Sequence, residues 1–192
     1  MVSKINYRLA VLRPVLAIAN IRTKLILVNS LIISIFKYAC PLLIDSSLTQ
    51  LNKMQTLLMK VSRHVIGFNT YKLSTINIMK LNKWITFHHM VIKETILFIH
   101  KIMFENIPRS ITQFYSYSMS NNLNIRMVRK ASIKIQHKSN IATKSLLYRS
   151  IFLYNKLPYD LRTFNTKKLS RHLQNSIGDY FPNNSIPNND HG

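Results

Sequence analysis

The sequence predicts a mostly α fold: a helical bundle, a basic loop or short β-hairpin segment, and a C-terminal helical pair. Three observations carry that expectation. Apolar residues recur at three- and four-residue spacing through Lys4 to Phe104 and again beyond Lys144, the period of an amphipathic helix. At 47% hydrophobic residues, the 192-residue chain can bury a sizeable core. Strand-like alternation is confined to one place, where Ile133 and Ile135 alternate with Lys134 and Gln136.

Taken in order, Ile5, Leu9 and Leu12 open the first helix at helical spacing. Pro14 then either kinks that helix or starts the next, because it lacks an N–H and its ring crowds the preceding turn. From Arg22 to Tyr38 the apolar residues are so dense that this helix is expected to be central. Asp45, Ser46 and Ser47 offer side-chain oxygens as N-caps for a helix over Leu48 to Ile66. At about 100° per residue, Leu51, Met54, Leu58, Val61 and Val65 of that helix fall within an arc of roughly 80°, and Lys53, Lys60 and His64 cluster on another face. Gly67 follows as a left-handed C-cap.

A short helix over Ser74 to Leu81 is expected to lead into a long one over Trp84 to Glu105. Trp84, Phe87, Val91, Phe98 and Ile102 keep helical spacing there, and Pro108 closes it. Aromatic residues at this spacing are expected in the core, although Trp84 and Phe87 have faces on which bases could stack. Ser110 to Asn124, rich in Ser, Asn and Tyr, reads as a loop. Two helices close the fold, Lys144 to Lys156 and Thr166 to Ile177. In the second, Leu169, Leu173 and Ile177 recur every four residues and leave Lys167, Lys168 and Arg171 outward. The resulting division is a helical thumb-like bundle over 1–106, a basic loop or linker over 107–143, a helical element over 144–181 and a disordered tail over 182–192.

Charge narrows the choice of partner. Lys and Arg total 27 against 6 acidic residues, a net charge of +21 and a pI near 10.4. That excess is more than solubility requires, and its self-repulsion opposes compaction. Nucleic acid is the partner it implies, because neutralising phosphates with counterion release turns scattered cations into affinity without base-reading geometry. The same segments that carry the cations lack acids. None occurs from Ser46 to Lys93, which removes the usual i,i+4 partners of Lys53, Lys60 and Arg63. None occurs between Glu105 and Asp160, where Arg126, Arg129, Lys130, Lys134, Lys138 and Lys144 lie. With Lys167 and Arg171, these are the candidate phosphate contacts. A solvated surface or flexible linker is the plainer alternative for both clusters.

No metal, cofactor or small-molecule substrate is expected. Cys40 is the one cysteine, so an intramolecular disulfide is impossible and a reducing compartment is permitted. The histidines lack ligand spacing, and Cys40 between Ala39 and Pro41 has the character of a small buried side chain. Three glycines leave little material for a phosphate-cradling loop. The N-terminus shows no cleavage-site pattern, so the expected location is intracellular, nuclear or cytoplasmic, and not secreted. Leu25 to Ile44 has about the length of a membrane span but carries Asn29, Ser30, Ser34, Lys37 and Pro41. A buried helix pair is the preferred reading, and basic residues on both sides give no orientation.

Three blocks recur in a known order: Asn29 to Pro41 (NSLIISIFKYACP), Leu51 to Gly67 (LNKMQTLLMKVSRHVIG) and Leu146 to Arg162 (LLYRSIFLYNKLPYDLR). Together they resemble the thumb and post-polymerase region of non-LTR retrotransposon reverse transcriptases, over about Ser3 to Phe181. The chain has Tyr154 where that family usually has Trp, and Leu42 or Leu43 where it usually has Trp after the Ala-Cys-Pro block. The family's catalytic centre is an aromatic-X-Asp-Asp turn with a third aspartate holding two metal ions. Here the acids are Asp45, Glu94, Glu105, Asp160, Asp179 and Asp190, with no Asp-Asp pair. The resemblance therefore implies a non-catalytic fragment without palm or fingers, one that binds RNA or DNA through the backbone. Two alternatives stand beside it: a small basic membrane-associated protein with a span near 25–44, and a decayed reading frame without function.

Overall fold

A computed structural model of the chain describes residues 1–67, 74–105 and 146–182. Every regular element among them is helical, and the fold is mostly α. The expected strand at Ile133 to Gln136, the loop at Ser110 to Asn124 and the tail beyond Pro182 lie outside the described residues. Two compact units divide the chain, Met1–Val91 and Ile92–Gly192.

In the first unit, α1 (Val2–Ile18) continues past Pro14, which lies within the helix and does not start a new one. Pro14 and Ala10 are both exposed, so the carbonyl that the missing N–H leaves unbonded can be taken up by water. Ile5, Leu9, Leu12 and Leu16 form its buried stripe. Asn20 caps α2 (Ile21–Val28) by accepting from the Thr23 amide at 2.9 Å. The helix continues through a π-turn (Asn29–Ile33) into α3 (Ser34–Ala39) and a 3-10 turn (Cys40–Leu43).

This continuous helix from Ile21 to Leu43 differs from expectation in two ways. It is one helix rather than a pair, and only 28% of its most apolar window is buried. Val28, Ile32, Ile33, Phe36 and Cys40 face the core of the unit, whereas Ile21, Ile26, Tyr38 and Leu42 are exposed. Apolar residues are distributed around its whole circumference, and the described residues of the unit cover Val28, Ile32, Ile33, Phe36 and Cys40 but not Ile21, Ile26, Tyr38 and Leu42.

The helix over Leu48–Ile66, α4, forms as predicted. Ser47 Oγ accepts from the Gln50 amide, which supplies the N-cap, and Leu51, Leu58, Val61 and Val65 are buried. Gly67 ends it with φ 107 and its amide donating to the Arg63 carbonyl at 2.9 Å. Its ψ of 171 is extended, so the cap has positive φ without the left-handed helical ψ. Ser74 caps α5 (Thr75–Leu81), and the Asn82 side chain donates to Ser62 Oγ at 2.5 Å, tying the end of α5 to α4. The ring of Phe87, at the start of α6 (Phe87–Glu105), meets Phe36 edge-on at 5.5 Å. Its amide donates to Gln55 Oε1 at 2.6 Å. Phe87 is thus a core residue, as the bundle expectation required, and Trp84 is partly exposed.

In the second unit, the remainder of α6 is joined by α7 (Leu146–Asn155), α8 (Tyr159–Arg162) and α9 (Thr166–Tyr180). Leu169, Leu173 and Ile177 of α9 are buried with Ile151, Leu153, Leu157, Leu161 and Phe181. Asn165 caps α9 by accepting from the Lys168 amide at 2.8 Å.

Candidate nucleic-acid interface

In the first unit the candidate surface is the outer side of α4. Lys53, Lys60 and Arg63 are all exposed there, opposite the stripe that packs. Lys53 and Lys60 are seven residues apart and so nearly eclipsed along the helix, and His64 lies within about 40° of both. His64 is held from both sides: its Nδ1 lies 2.8 Å from the Lys60 carbonyl, and Arg13 Nε lies 3.2 Å from its Nε2. A ring that donates from Nδ1 and accepts at Nε2 meets both contacts as the neutral tautomer.

Sequence reasoning missed Arg13. The contact joins residues 51 positions apart, and no local pattern marks it. The structure thereby brings an α1 guanidinium to the C-terminal half of the α4 stripe, where His64 also meets the Lys60 carbonyl. The acid nearest in sequence on the N-terminal side of α4 is Asp45, ahead of the helix, and none follows until Glu94.

In the second unit the surface is the first two turns of α9, where Lys167, Lys168 and Arg171 are exposed. Lys168 Nζ sits 4.0 Å from the centroid of the Phe164 ring, which steadies its long side chain while leaving the ammonium outward. This placement opposes the helix macrodipole: the N-terminal end already carries partial positive charge, and lysines there destabilise an isolated helix. The same potential makes the end favourable for an anion. Arg126, Arg129, Lys130, Lys134, Lys138 and Lys144 lie outside the described residues.

Other cations serve the fold and should be subtracted from any count of surface charge. Lys93, Arg149 and Arg162 are all buried. Lys93 Nζ donates to Gln174 Oε1 at 2.7 Å, joining α6 to α9. Arg162 closes the turn between α7 and α8. Its Nε donates to the Leu157 carbonyl at 3.0 Å, and one terminal nitrogen donates to the Asn155 and Leu157 carbonyls at 2.5 and 2.8 Å. Its guanidinium also stands 5.8 Å from the Tyr154 ring centroid, and the Tyr154 hydroxyl lies 3.2 Å from His100 Nδ1.

The Tyr154 to Pro158 block therefore has a structural job in this chain. Tyr154 and Leu157 are buried, Pro158 precedes the first turn of α8, and Arg162 satisfies the carbonyls that the end of α7 leaves unbonded. Among the described residues no group of three His, Cys, Asp or Glu side chains could hold a metal ion. Cys40 is a buried free thiol. No family model, curated protein or solved structure matches the chain.

Proposed function

We propose that the chain is a non-catalytic nucleic-acid-binding protein that grips RNA or DNA through phosphate contacts, a remnant of a reverse transcriptase of the non-LTR type. The observation that carries the reading is the exposed cation stripe of α4, Lys53, Lys60 and Arg63, on a helix without an acid in its sequence, with Arg13 of α1 brought to it through His64. The second exposed set, on α9, supports it because those lysines work against their own helix and gain most when an anion arrives. A binder of this kind positions backbone phosphates with little base readout. The lack of an Asp-Asp pair, with the six acids scattered along the sequence, supports the non-catalytic part of the reading. The three resembling blocks support its origin.

Fluorescence anisotropy with an RNA hairpin and a DNA duplex tests it. With about 6 to 10 phosphate contacts, affinity falls by about 10³ to 10⁵ between roughly 50 and 200 mM salt. Charge reversal by Lys53→Glu, Lys60→Glu and Arg63→Glu lowers the slope of log affinity against log salt by about one for each phosphate no longer neutralised, equally for unrelated sequences. No binding at low salt, or a slope that the triple variant leaves unchanged, overturns the reading.

A further inference from the structure

The outer face of the first two helices carries an inference that the cation stripe does not. Around α1, Tyr7, Val11, Val15 and Ile18 follow one another along the side opposite Ile5, Leu9, Leu12 and Leu16, and all four are exposed, Ile18 at 88% and Tyr7 at 71%. The chain turns at Ala19 and Asn20 and runs back as the Ile21–Leu43 helix. Arg8 Nη1 donating to the Leu31 carbonyl at 2.5 Å shows the two helices lying side by side. This second helix adds Ile21 at the turn, Ile26, Tyr38 at 86% and Leu42 at 70% exposure. Exposed apolar side chains are thus carried on both arms and at the turn of a helical hairpin, and large apolar groups left in water in such number mark an interaction surface.

What accompanies the apolar side chains selects the occupant. Every ionisable side chain from Lys4 to Tyr38 other than tyrosine is cationic: Lys4, Arg8, Arg13, Arg22, Lys24 and Lys37, with no acid before Asp45. A second copy of the chain would bring like charges face to face. A phosphate backbone satisfies the cations but offers nothing to a row of Val and Ile. An anionic bilayer satisfies both, with headgroups for Lys and Arg, acyl chains for the aliphatic side chains, and an interfacial zone for Tyr7 and Tyr38.

The geometry also sets the depth. The Ile21–Leu43 helix is long and apolar enough to cross a membrane. One side of it, however, is committed to the core of the unit through Val28, Ile32, Ile33, Phe36 and Cys40. Its open side carries Asn29, Ser30, Ser34 and Lys37 among the apolar residues. Such a helix lies in the plane of the interface rather than through the bilayer.

We infer that the hairpin formed by α1 and the Ile21–Leu43 helix is a peripheral docking face for anionic lipid, inserting Val11, Val15, Ile18 and Ile21 among the headgroups. The inference shares only Arg13 with the nucleic-acid surface, uses none of Lys53, Lys60 and Arg63, and stands or falls separately from nucleic-acid binding. The test is co-sedimentation of the full chain with vesicles of phosphatidylcholine alone and of phosphatidylcholine mixed with phosphatidylserine. The same assay is run on the double variant Val11→Ser, Ile18→Ser, whose side chains leave the core untouched.

The expected result is binding to the phosphatidylserine vesicles, weak binding to phosphatidylcholine, release in alkaline carbonate, and a loss of partitioning of about tenfold or more in the double variant. RNA anisotropy of that variant stays as in the parent. Equal vesicle binding by parent and double variant means charge alone drives adhesion, and overturns the proposal. Retention in carbonate, showing a span, overturns it too. So does a concentration-dependent dimer in light scattering that the double variant abolishes while vesicle binding persists.

Discussion

Helices α9 and α1 use their apolar residues differently. In α9, Leu169, Leu173 and Ile177 are all buried, and the opposite side carries Lys167, Lys168 and Arg171. In α1, Ile5, Leu9, Leu12 and Leu16 are equally buried, yet Tyr7, Val11, Val15 and Ile18 on the opposite side are exposed. The two inner faces do the same work, burial of aliphatic side chains against the helix's own unit. The outer faces differ in chemistry: α9 presents cations, and α1 presents apolar side chains that no described part of its unit covers.

The largest effect that would break this comparison is loss of an inner face. Leu169→Ala, at a site with no exposure, is expected to lower stability by about 2 to 5 kcal/mol, read as a shift in the urea midpoint at constant slope. Ile18→Ser is expected to change it by less than about 0.5 kcal/mol, since its side chain is already in water. A cost at Ile18 close to that at Leu169 would mean that the outer face of α1 is core after all.

A smaller effect separates cations that hold the fold from those offered to a partner. Arg162→Ala removes three hydrogen bonds to the Asn155 and Leu157 carbonyls. Buried acceptors left unsatisfied cost about 1 to 3 kcal/mol. Lys167→Ala on the exposed side of α9 is expected to be neutral or slightly stabilising, because it removes a positive charge from a helix N-terminus. Equal thermal midpoints for the two variants would erase that distinction.

The smallest expected effect is a titration. Burial, and after it the neighbouring charge of His89, pushes the His88 imidazole below its ordinary value. Between that lowered value and the ordinary one near 6.5, the unfolded chain binds more protons than the folded one. Stability is therefore complete above about 6.5 and declines as pH falls through the window. A proton NMR titration of the His88 ring at or above the ordinary value would remove this contribution.

How much of the fold was legible in the sequence depended on how one-sided each helix is. The α4 and α9 helices, with their Ser47 and Asn165 caps, separate apolar from basic residues, and four-residue spacing alone assigns their inner faces. The α1 and Ile21–Leu43 helices do not separate them. The apolar density from Arg22 to Tyr38 pointed to a central position, and the structure leaves Ile21, Ile26, Tyr38 and Leu42 exposed. Local pattern records how much apolar surface a helix has, not how much of it neighbours exist to cover. The candidate site followed the same rule: Lys53, Lys60, Arg63, Lys167 and Arg171 were found as charges facing away from an apolar stripe.

By itself the sequence determined the helical class, the N-cap of α4, the inner faces of α4 and α9 and the cationic excess, because each follows from neighbours within a turn or from composition. Only the tertiary structure decided that Arg13 reaches His64, that Arg162 turns inward to bond the Asn155 and Leu157 carbonyls, and that Ile18 and Tyr38 stand in solvent. These outcomes depend on which surfaces the folded units bring into contact, and that competition for burial is settled between residues far apart in the chain.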